Sequence, residues 1–321
     1  MNDVITLALP FFGLIFIGYV SAKVRPMPAE GLDWLNFFII YLALPALFFE
    51  LIAKTPIEQL ANGSFVGATT AATTLSLVVA WLIGRWARAG NAREAAIVAA
   101  AGSYSNIGYM GPGLTLAALG QAASVPTALI FCFDNALIFI CVPLMMALAG
   151  DTRQSAGRMA LSIFGRIVLH PFILATIVGV AAAAIGFRPP AAIDKVLAYL
   201  MQAAAPCALF TLGVTVGLRR VHDLPSEMPW VLGVKLVLHP LMVLTFLEAI
   251  GGFDAVWIST AVLMASLPPA LNVFVLAQQY RSYVERASTT VLVGTLASVF
   301  TVTGVLFLVT HDLLPLHLFG R

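Results

Sequence analysis

Long apolar stretches alternate with short polar joints along nearly the whole 321-residue chain. They predict membrane-crossing helices near 4–22, 33–53, 64–86, 95–118, 125–149, 161–185, 194–217, 229–250, 254–280 and 288–310. About 20 apolar residues are needed to cross a hydrocarbon core of ~30 Å, so ten such spans leave no room for a soluble domain. The joints gather the Pro, Gly and charged residues. Residues 4–22 are too long for a cleavable signal peptide and lack its basic start, so they are expected to remain as the first span.

Composition agrees. Hydrophobic residues make up 60% of the chain and charged residues 10%, against about 25% charged in an ordinary soluble protein. A surface so poor in charge must face lipid. Cys132, Cys141 and Cys207 all fall inside apolar spans without metal-ligand or disulfide spacing, so neither a zinc site nor a disulfide framework is expected. Metalloprotease, P-loop and nucleophile-elbow patterns are missing, so the chain reads as no enzyme, with no cofactor and no nucleic-acid partner.

The basic residues are spread unevenly. One set of alternate joints holds Lys23, Arg25, Arg85, Arg88, Arg93, Arg153, Arg158, Arg219, Arg220, Arg281 and Arg286. The other set, with the chain ends, holds Lys54, Arg188, Lys195 and Arg321. Cytoplasmic joints carry the excess of Lys and Arg, so both termini are expected outside the cytoplasm, which requires an even number of spans.

An offset of 161 positions relates the two halves. Pro10 and Gly18 recur as Pro171 and Gly179, Asp33 as Asp194, and Pro45-Ala46-Leu47-Phe48-Phe49 has Pro206-Cys207-Ala208-Leu209-Phe210 as its counterpart. The halves are 1–149 and 161–310. Five spans is an odd number, so the second half must be inverted, as in many secondary carriers.

Both halves carry an interrupted span. The fourth contains Ser103-Tyr104-Ser105-Asn106-Ile107-Gly108-Tyr109-Met110-Gly111-Pro112-Gly113. The ninth contains Ser266-Leu267-Pro268-Pro269-Ala270-Leu271-Asn272. Proline removes a backbone donor and clashes with the preceding turn, so neither run can stay a regular helix. Backbone freed in this way must be buried in protein or line a wet cavity. Half-helix N-termini suit a carboxylate, and freed carbonyls suit a cation. The expected substrate-binding residues are Asn106 and Asn272 through their amides, with Ser103, Tyr104, Ser105 and Gly111 shaping the pocket. Pro268 and Pro269 hold the second break open.

Ionisable residues inside spans are candidates for function. Asp134 in the fifth span reads either as a coupling site, proton or cation, or as a structural acid paired to a neighbouring span. Arg166 and His170, and likewise Lys235 and His239, are four apart and share a helix face. They read as a basic inner vestibule, or as snorkelling cations with packed histidines. Snorkelling is the preferred reading for Arg166; for Lys235 both stay open, and Lys235 and His239 join Asp134 as coupling candidates. Glu50 and Glu248 fall near outer span ends and are expected to be solvated. Gly213-x3-Gly217 matches a helix-packing pattern. Asn62-Gly63-Ser64 fits a glycosylation acceptor, with meaning only in a host that glycosylates.

Leu44-Pro45-Ala46-Leu47-Phe48, Ser105-Asn106-Ile107-Gly108-Tyr109-Met110-Gly111 and Leu267-Pro268-Pro269-Ala270-Leu271-Asn272-Val273-Phe274-Val275-Leu276-Ala277 followed by Tyr280 resemble the auxin efflux carrier family. That family includes bacterial malonate-type carriers and plant auxin exporters. The resemblance implies an all-α fold of ten transmembrane helices as two inverted five-helix repeats, with broken crossover helices in spans 4 and 9. It implies an elevator, in which spans 3–5 and 8–10 move against a dimerising scaffold of spans 1, 2, 6 and 7. The family's crossover asparagines match Asn106 and Asn272. The long loop of the plant members is replaced by about residues 150–160, and the acidic residue some of them use in the third span has no counterpart in 64–86.

The sequence thus reads as a secondary carrier of small organic anions, malonate or other carboxylates or auxin-like acids, in a bacterial inner membrane. The coupling ion is left as H+ or Na+, and a homodimer is expected. A membrane sensor or an anion channel on the same fold are the alternatives.

Overall fold

A computed structural model describes residues 2–25, 29–56, 58, 61–87, 91–150, 161, 165, 169, 171–218 and 224–315. The described chain is helical, and its one β-type pairing is an isolated bridge between Ser105 and Pro269. In chain order the helices are α1 (Asn2–Val24), α2 (Ala29–Phe38), α3 (Leu44–Ala53), α4 (Gly63–Ala87), α5 (Ala92–Ser103), α6 (Gly111–Leu119) and α7 (Ser124–Leu148). There follow α8 (Pro171–Ile185), α9 (Ala191–Leu218), α10 (Met228–Gly233), α11 (His239–Ile250), α12 (Ala255–Ser266), α13 (Asn272–Gln279) and α14 (Val284–Thr310). Two π turns, Ile39–Ala43 and Val234–Leu238, make α2 continuous with α3 and α10 with α11. Each lies just before a proline, Pro45 or Pro240, whose ring cannot accept the regular α register.

Among the described residues, six helical runs are long and apolar enough to cross a membrane: Gly31–Ala53, Gly63–Ala87, Gly111–Leu148, Ala191–Leu218, Met228–Ile250 and Val284–Thr310. Leu9–Val24, Pro171–Ile185 and Ala255–Ser266 are shorter apolar helices. Leu148 and Phe300 stand 80% and 82% exposed, while Thr69, Thr73 and Ser76 on α4 are buried. Apolar side chains outside and hydroxyls inside is the arrangement that a lipid solvent selects.

The chain divides into two units. Unit 1 comprises Met1–Gly63, Gly108–Cys132 and Val168–Arg219. Unit 2 comprises Ser64–Ile107, Phe133–Ile167 and Arg220–Arg321. Residues 108–132 thus belong with the first and second spans rather than with the rest of the fourth and fifth.

Within unit 1, α1 lies against α9 through glycine. A Cβ on Gly18 would fall on the Phe210 carbonyl oxygen and stand 3.1 Å from the Gly213 Cα. A Cβ on Gly213 would fall on the Ile15 carbonyl, and one on Gly217 would be 2.8 Å from the Tyr19 carbonyl oxygen. The spacing of Gly213 and Gly217 is therefore a close-approach face for α1. Gly179 on α8 meets α3 in a corresponding way: a Cβ there would stand 3.1 Å from the Ile52 Cβ and 3.5 Å from the Ala53 nitrogen. Phe48, Phe131 and Phe172 join α3, α7 and α8, with ring centroids 4.2, 5.0 and 6.1 Å apart.

Glu50 departs from expectation. It is buried, not solvated, because Lys54 pairs with its Oε2 and also reaches Asp194 Oδ1 at 3.1 Å. The hydrogen bond with Glu50 holds the Lys54 ammonium above the usual lysine range, with Asp194 adding to it and desolvation opposing it.

Gly213→Ala is expected to lower the stability of the detergent-solubilised protein by about 1–3 kcal/mol, read as the thermal unfolding midpoint. Gly13→Ala, with nothing within 4 Å of the added methyl, should not lower that midpoint, since alanine is the better helix former.

Candidate functional site

Unit 2 contains both helix breaks, and they are built alike. Asn91 caps α5 by accepting from the Arg93 and Glu94 amides, and Asp254 caps α12 by accepting from the Trp257 amide at 2.9 Å. Each capped helix runs 12 residues and ends in a buried serine, Ser103 or Ser266. Ser103 Oγ donates to the Ala99 carbonyl at 2.9 Å and Ser266 Oγ to the Leu263 carbonyl at 2.8 Å. Beyond the serines the two chains turn extended and pair with one another. The Asn106 amide donates to the Pro268 carbonyl at 2.8 Å, and the Ala270 amide to the Tyr104 carbonyl at 2.9 Å. Backbone polar groups that lose their helical partners are thereby satisfied across the breaks.

Proline chemistry decides what remains unpaired. In a continuous helix the Ala265 carbonyl would accept from the amide of residue 269, but Pro269 has none. Lys235 Nζ takes that carbonyl at 2.6 Å, with Ser105 Oγ at 3.4 Å. Lys235 belongs to the π turn Val234–Leu238, which the His239 amide closes by donating to the Val234 carbonyl.

A second line of side chains runs from Lys235 away from the break. Lys235 Nζ lies 3.4 Å from His239 Nδ1, and His239 Nε2 lies 3.1 Å from Thr73 Oγ1. Thr73 Oγ1 is also 3.1 Å from Asp134 Oδ2 and 3.1 Å from the Thr69 carbonyl. Lys235 is 0% exposed, His239 1%, Thr73 1% and Asp134 5%. Lys235 therefore does not snorkel; it sits among polar partners inside unit 2. Asp134 and Lys235 are joined through Thr73 and His239, not by a direct ion pair.

Tyr104 links the break to the next residue of α7. Its hydroxyl donates to Asn135 Oδ1 in a short hydrogen bond and accepts from Asn272 Nδ2 at 3.1 Å. Asn272 is the first residue of α13, half-buried, and Asn106 is 1% exposed. Asn106 Nδ2 and Asp134 Oδ1 are buried without a hydrogen-bond partner within the protein. An unpaired buried donor costs about 1–3 kcal/mol, and such groups mark places where a ligand or proton can be received.

Ser103, Tyr104, Ser105, Asn106, Pro268, Pro269 and Asn272 are thus gathered at the paired breaks of unit 2, and Asp134, Lys235 and His239 in the adjoining polar line. Gly111 is the buried first residue of α6, in unit 1. Arg166 and His170 lie outside the described residues. Thr73 and Asn135 were not anticipated. A threonine in an apolar helix usually bonds its own preceding turn, as Thr74 does with Thr70, so only an offset acid on another helix could have singled Thr73 out.

A polytopic helical protein, apolar outside and carrying a buried, polar, doubly broken core, is the architecture of a membrane transporter. A family model described as "Membrane transport protein" matches residues 3–306, and the chain belongs to that family, the auxin efflux carriers. It is 50% identical over 319 residues, 99% of this chain and 100% of the other, to a Rhizobium meliloti (strain 1021) protein named "Putative malonate transporter". It is 25% identical over 288 residues, 89% of this chain and 91% of the other, to a Methanothermobacter thermautotrophicus protein named "Uncharacterized transporter". It is a multi-pass membrane transporter and not an enzyme.

Lys235→Met strands the Asp134 charge and is expected to cost about 3–5 kcal/mol, much of which Asp134→Asn should restore in the double variant. Denaturant unfolding of the single and double variants in detergent measures this coupling.

Proposed function

We propose that the protein is an elevator-type secondary carrier of small carboxylates, with malonate the first substrate to test. The observation that carries the reading is the pair of broken helices of unit 2, bonded backbone to backbone, beside an Asn106 side-chain amide whose Nδ2 has no partner within the protein. A carboxylate oxygen is the acceptor that such an amide lacks, and Asn272, hydrogen-bonded to Tyr104, offers a second amide. Full-length similarity to a protein named for malonate supports that choice of acid.

The finer architecture belongs to the same proposal: ten spans in two inverted repeats, both termini outside the cytoplasm, in the bacterial inner membrane. The glycine contacts support the repeat. Gly18 meets Gly213 and Val214, and Gly179 meets Ile52 and Ala53. Subtracting 161 from 213 and 214 gives 52 and 53, and adding 161 to 18 gives 179. Each half's first span thus meets the other half's second span at equivalent residues. In the cycle, spans 3–5 and 8–10 carry the substrate as a body, and spans 1, 2, 6 and 7 are the fixed scaffold through which two copies associate. The division of the chain supports this assignment for spans 1, 2, 6 and 7.

Malonate should raise the thermal unfolding midpoint of the purified protein, since a ligand that binds only the folded state stabilises it. Asn106→Ala and Asn272→Ala should each weaken malonate binding about 10–100-fold, the loss of one hydrogen bond to a charged group at about 1.5–3 kcal/mol. In liposomes the wild type should take up labelled malonate. Binding without flux would favour a sensor, single-channel currents a channel, and full ligand response in both Asn variants would sink the site.

A further inference from the structure

We infer that the coupling ion is a proton, passed along a buried hydrogen-bond relay Lys235–His239–Thr73–Asp134, with Thr73 the bridging residue. The inference rests on the carrier reading above and assigns its driving ion.

Hydrogen-bond logic orders the relay. The Thr73 hydroxyl has one hydrogen and three neighbours, Asp134 Oδ2, His239 Nε2 and the Thr69 carbonyl, each at 3.1 Å. Asp134 Oδ1 has no partner. Were the hydroxyl to donate to Thr69, the carboxylate would be buried with no hydrogen bond at all, a charge left uncompensated. The hydroxyl therefore donates to Asp134 Oδ2. His239 Nε2 must then carry a hydrogen and donate to Thr73 Oγ1, which leaves Nδ1 as the acceptor facing Lys235 Nζ at 3.4 Å. Every bond points the same way, from ammonium to carboxylate.

Such a chain can be reversed by moving each hydrogen one bond along. A Lys235 Nζ–H bond breaks as His239 Nδ1–H forms. His239 Nε2–H breaks as a new Thr73 Oγ1–H forms, and the original Oγ1 hydrogen passes to Asp134 Oδ2. An ammonium and a carboxylate become an amine and a carboxylic acid. Histidine has changed tautomer, and no proton or charge has been gained or lost. The reversed chain is also fully hydrogen-bonded, with Asp134 donating to Thr73, Thr73 to His239 and His239 to Lys235. One proton from water, taken by the Lys235 amine, gives the cluster a net charge of +1. That charge rests on the nitrogen that bonds the Ala265 carbonyl of the second break at 2.6 Å. The starting form holds an ammonium there too, balanced by the Asp134 carboxylate; proton uptake leaves the charge at the paired breaks unbalanced, where an anion binds more tightly.

A sodium site is a poorer fit. A hard cation needs several oxygen ligands, and two of the four side chains here are an ammonium and an imidazole. Among the described residues, no other Asp, Glu, Lys, Arg or His faces the relay from the elements around it. On α4, α5, α11 and α14 the remaining ones, Arg85, Arg93, Glu94, Glu248, Glu285 and Arg286, sit in terminal turns, and α12 carries none.

The test uses full-length protein in liposomes, with labelled malonate uptake and an internal pH dye. With one proton moved per malonate and the membrane potential clamped, a gradient of one pH unit drives about tenfold accumulation. The wild type should show this with sodium replaced by N-methylglucamine, together with alkalinisation of the proton-supplying side. Thr73→Val keeps the shape and removes the hydroxyl. It should bind malonate within about twofold of wild type by thermal shift and exchange it, yet accumulate none under the pH gradient. Thr73→Ser should recover accumulation. His239→Gln can donate and accept like the assigned tautomer but cannot pass a proton, so it should repeat the Thr73→Val result; it decides the matter if Thr73→Val fails to fold. Wild-type accumulation in both variants, or accumulation driven by sodium at clamped pH, would overturn the relay. Wild-type protein that neither binds nor moves malonate or another small carboxylate would overturn the carrier reading and the relay with it.

Discussion

A peptide group that loses its helical partner inside a bilayer has no water to turn to, and leaving it unpaired costs several kcal/mol. The two broken helices of this transporter meet that constraint with each other. The Asn106 amide bonds the Pro268 carbonyl and the Ala270 amide bonds the Tyr104 carbonyl. The buried polar side chains next to the breaks are arranged around this pairing. Tyr104 and Ser105 are carried into position by the extended segment that makes it. The tyrosine hydroxyl can then link Asn135 and Asn272, and the serine can share the Ala265 carbonyl with Lys235.

The prolines act at a distance from themselves. Pro269 removes the amide that would have bonded Ala265, and the oxygen so released anchors a fully buried ammonium. Pro240 forces the π turn from which Lys235 projects. An ammonium in such a place is tolerable only with partners. His239, Thr73 and Asp134 supply them in one unbranched line. A backbone irregularity and a charge that would each be costly alone are thus made compatible by sharing a hydrogen bond. The paired breaks and the buried polar line meet at that one carbonyl.

Much of this was legible in the chain, and what was missed was missed for identifiable reasons. The breaks could be read because Pro, Gly and small polar residues interrupt otherwise unbroken apolar runs. Asp134, Lys235 and His239 stood out because charge is rare in such spans. Glu50 was misread as solvated because its position near a span end says nothing of Asp194, which joins the i+4 neighbour Lys54 only when α3 and α9 lie together. Thr73 gave no signal because a membrane-helix hydroxyl can always bond its own preceding turn.

What the sequence by itself determined is the solvent and the places where the helices must fail. Both follow from local chemistry: apolar side chains partition into lipid, and proline lacks an amide wherever it occurs. Only the tertiary structure decided where the released groups find their partners. Asn106 meets Pro268, Lys235 meets Ala265, and Thr73 meets both Asp134 and His239. Those pairs are far apart along the chain, and hydrogen bonds form only within about 3 Å, so helix packing alone brings them together.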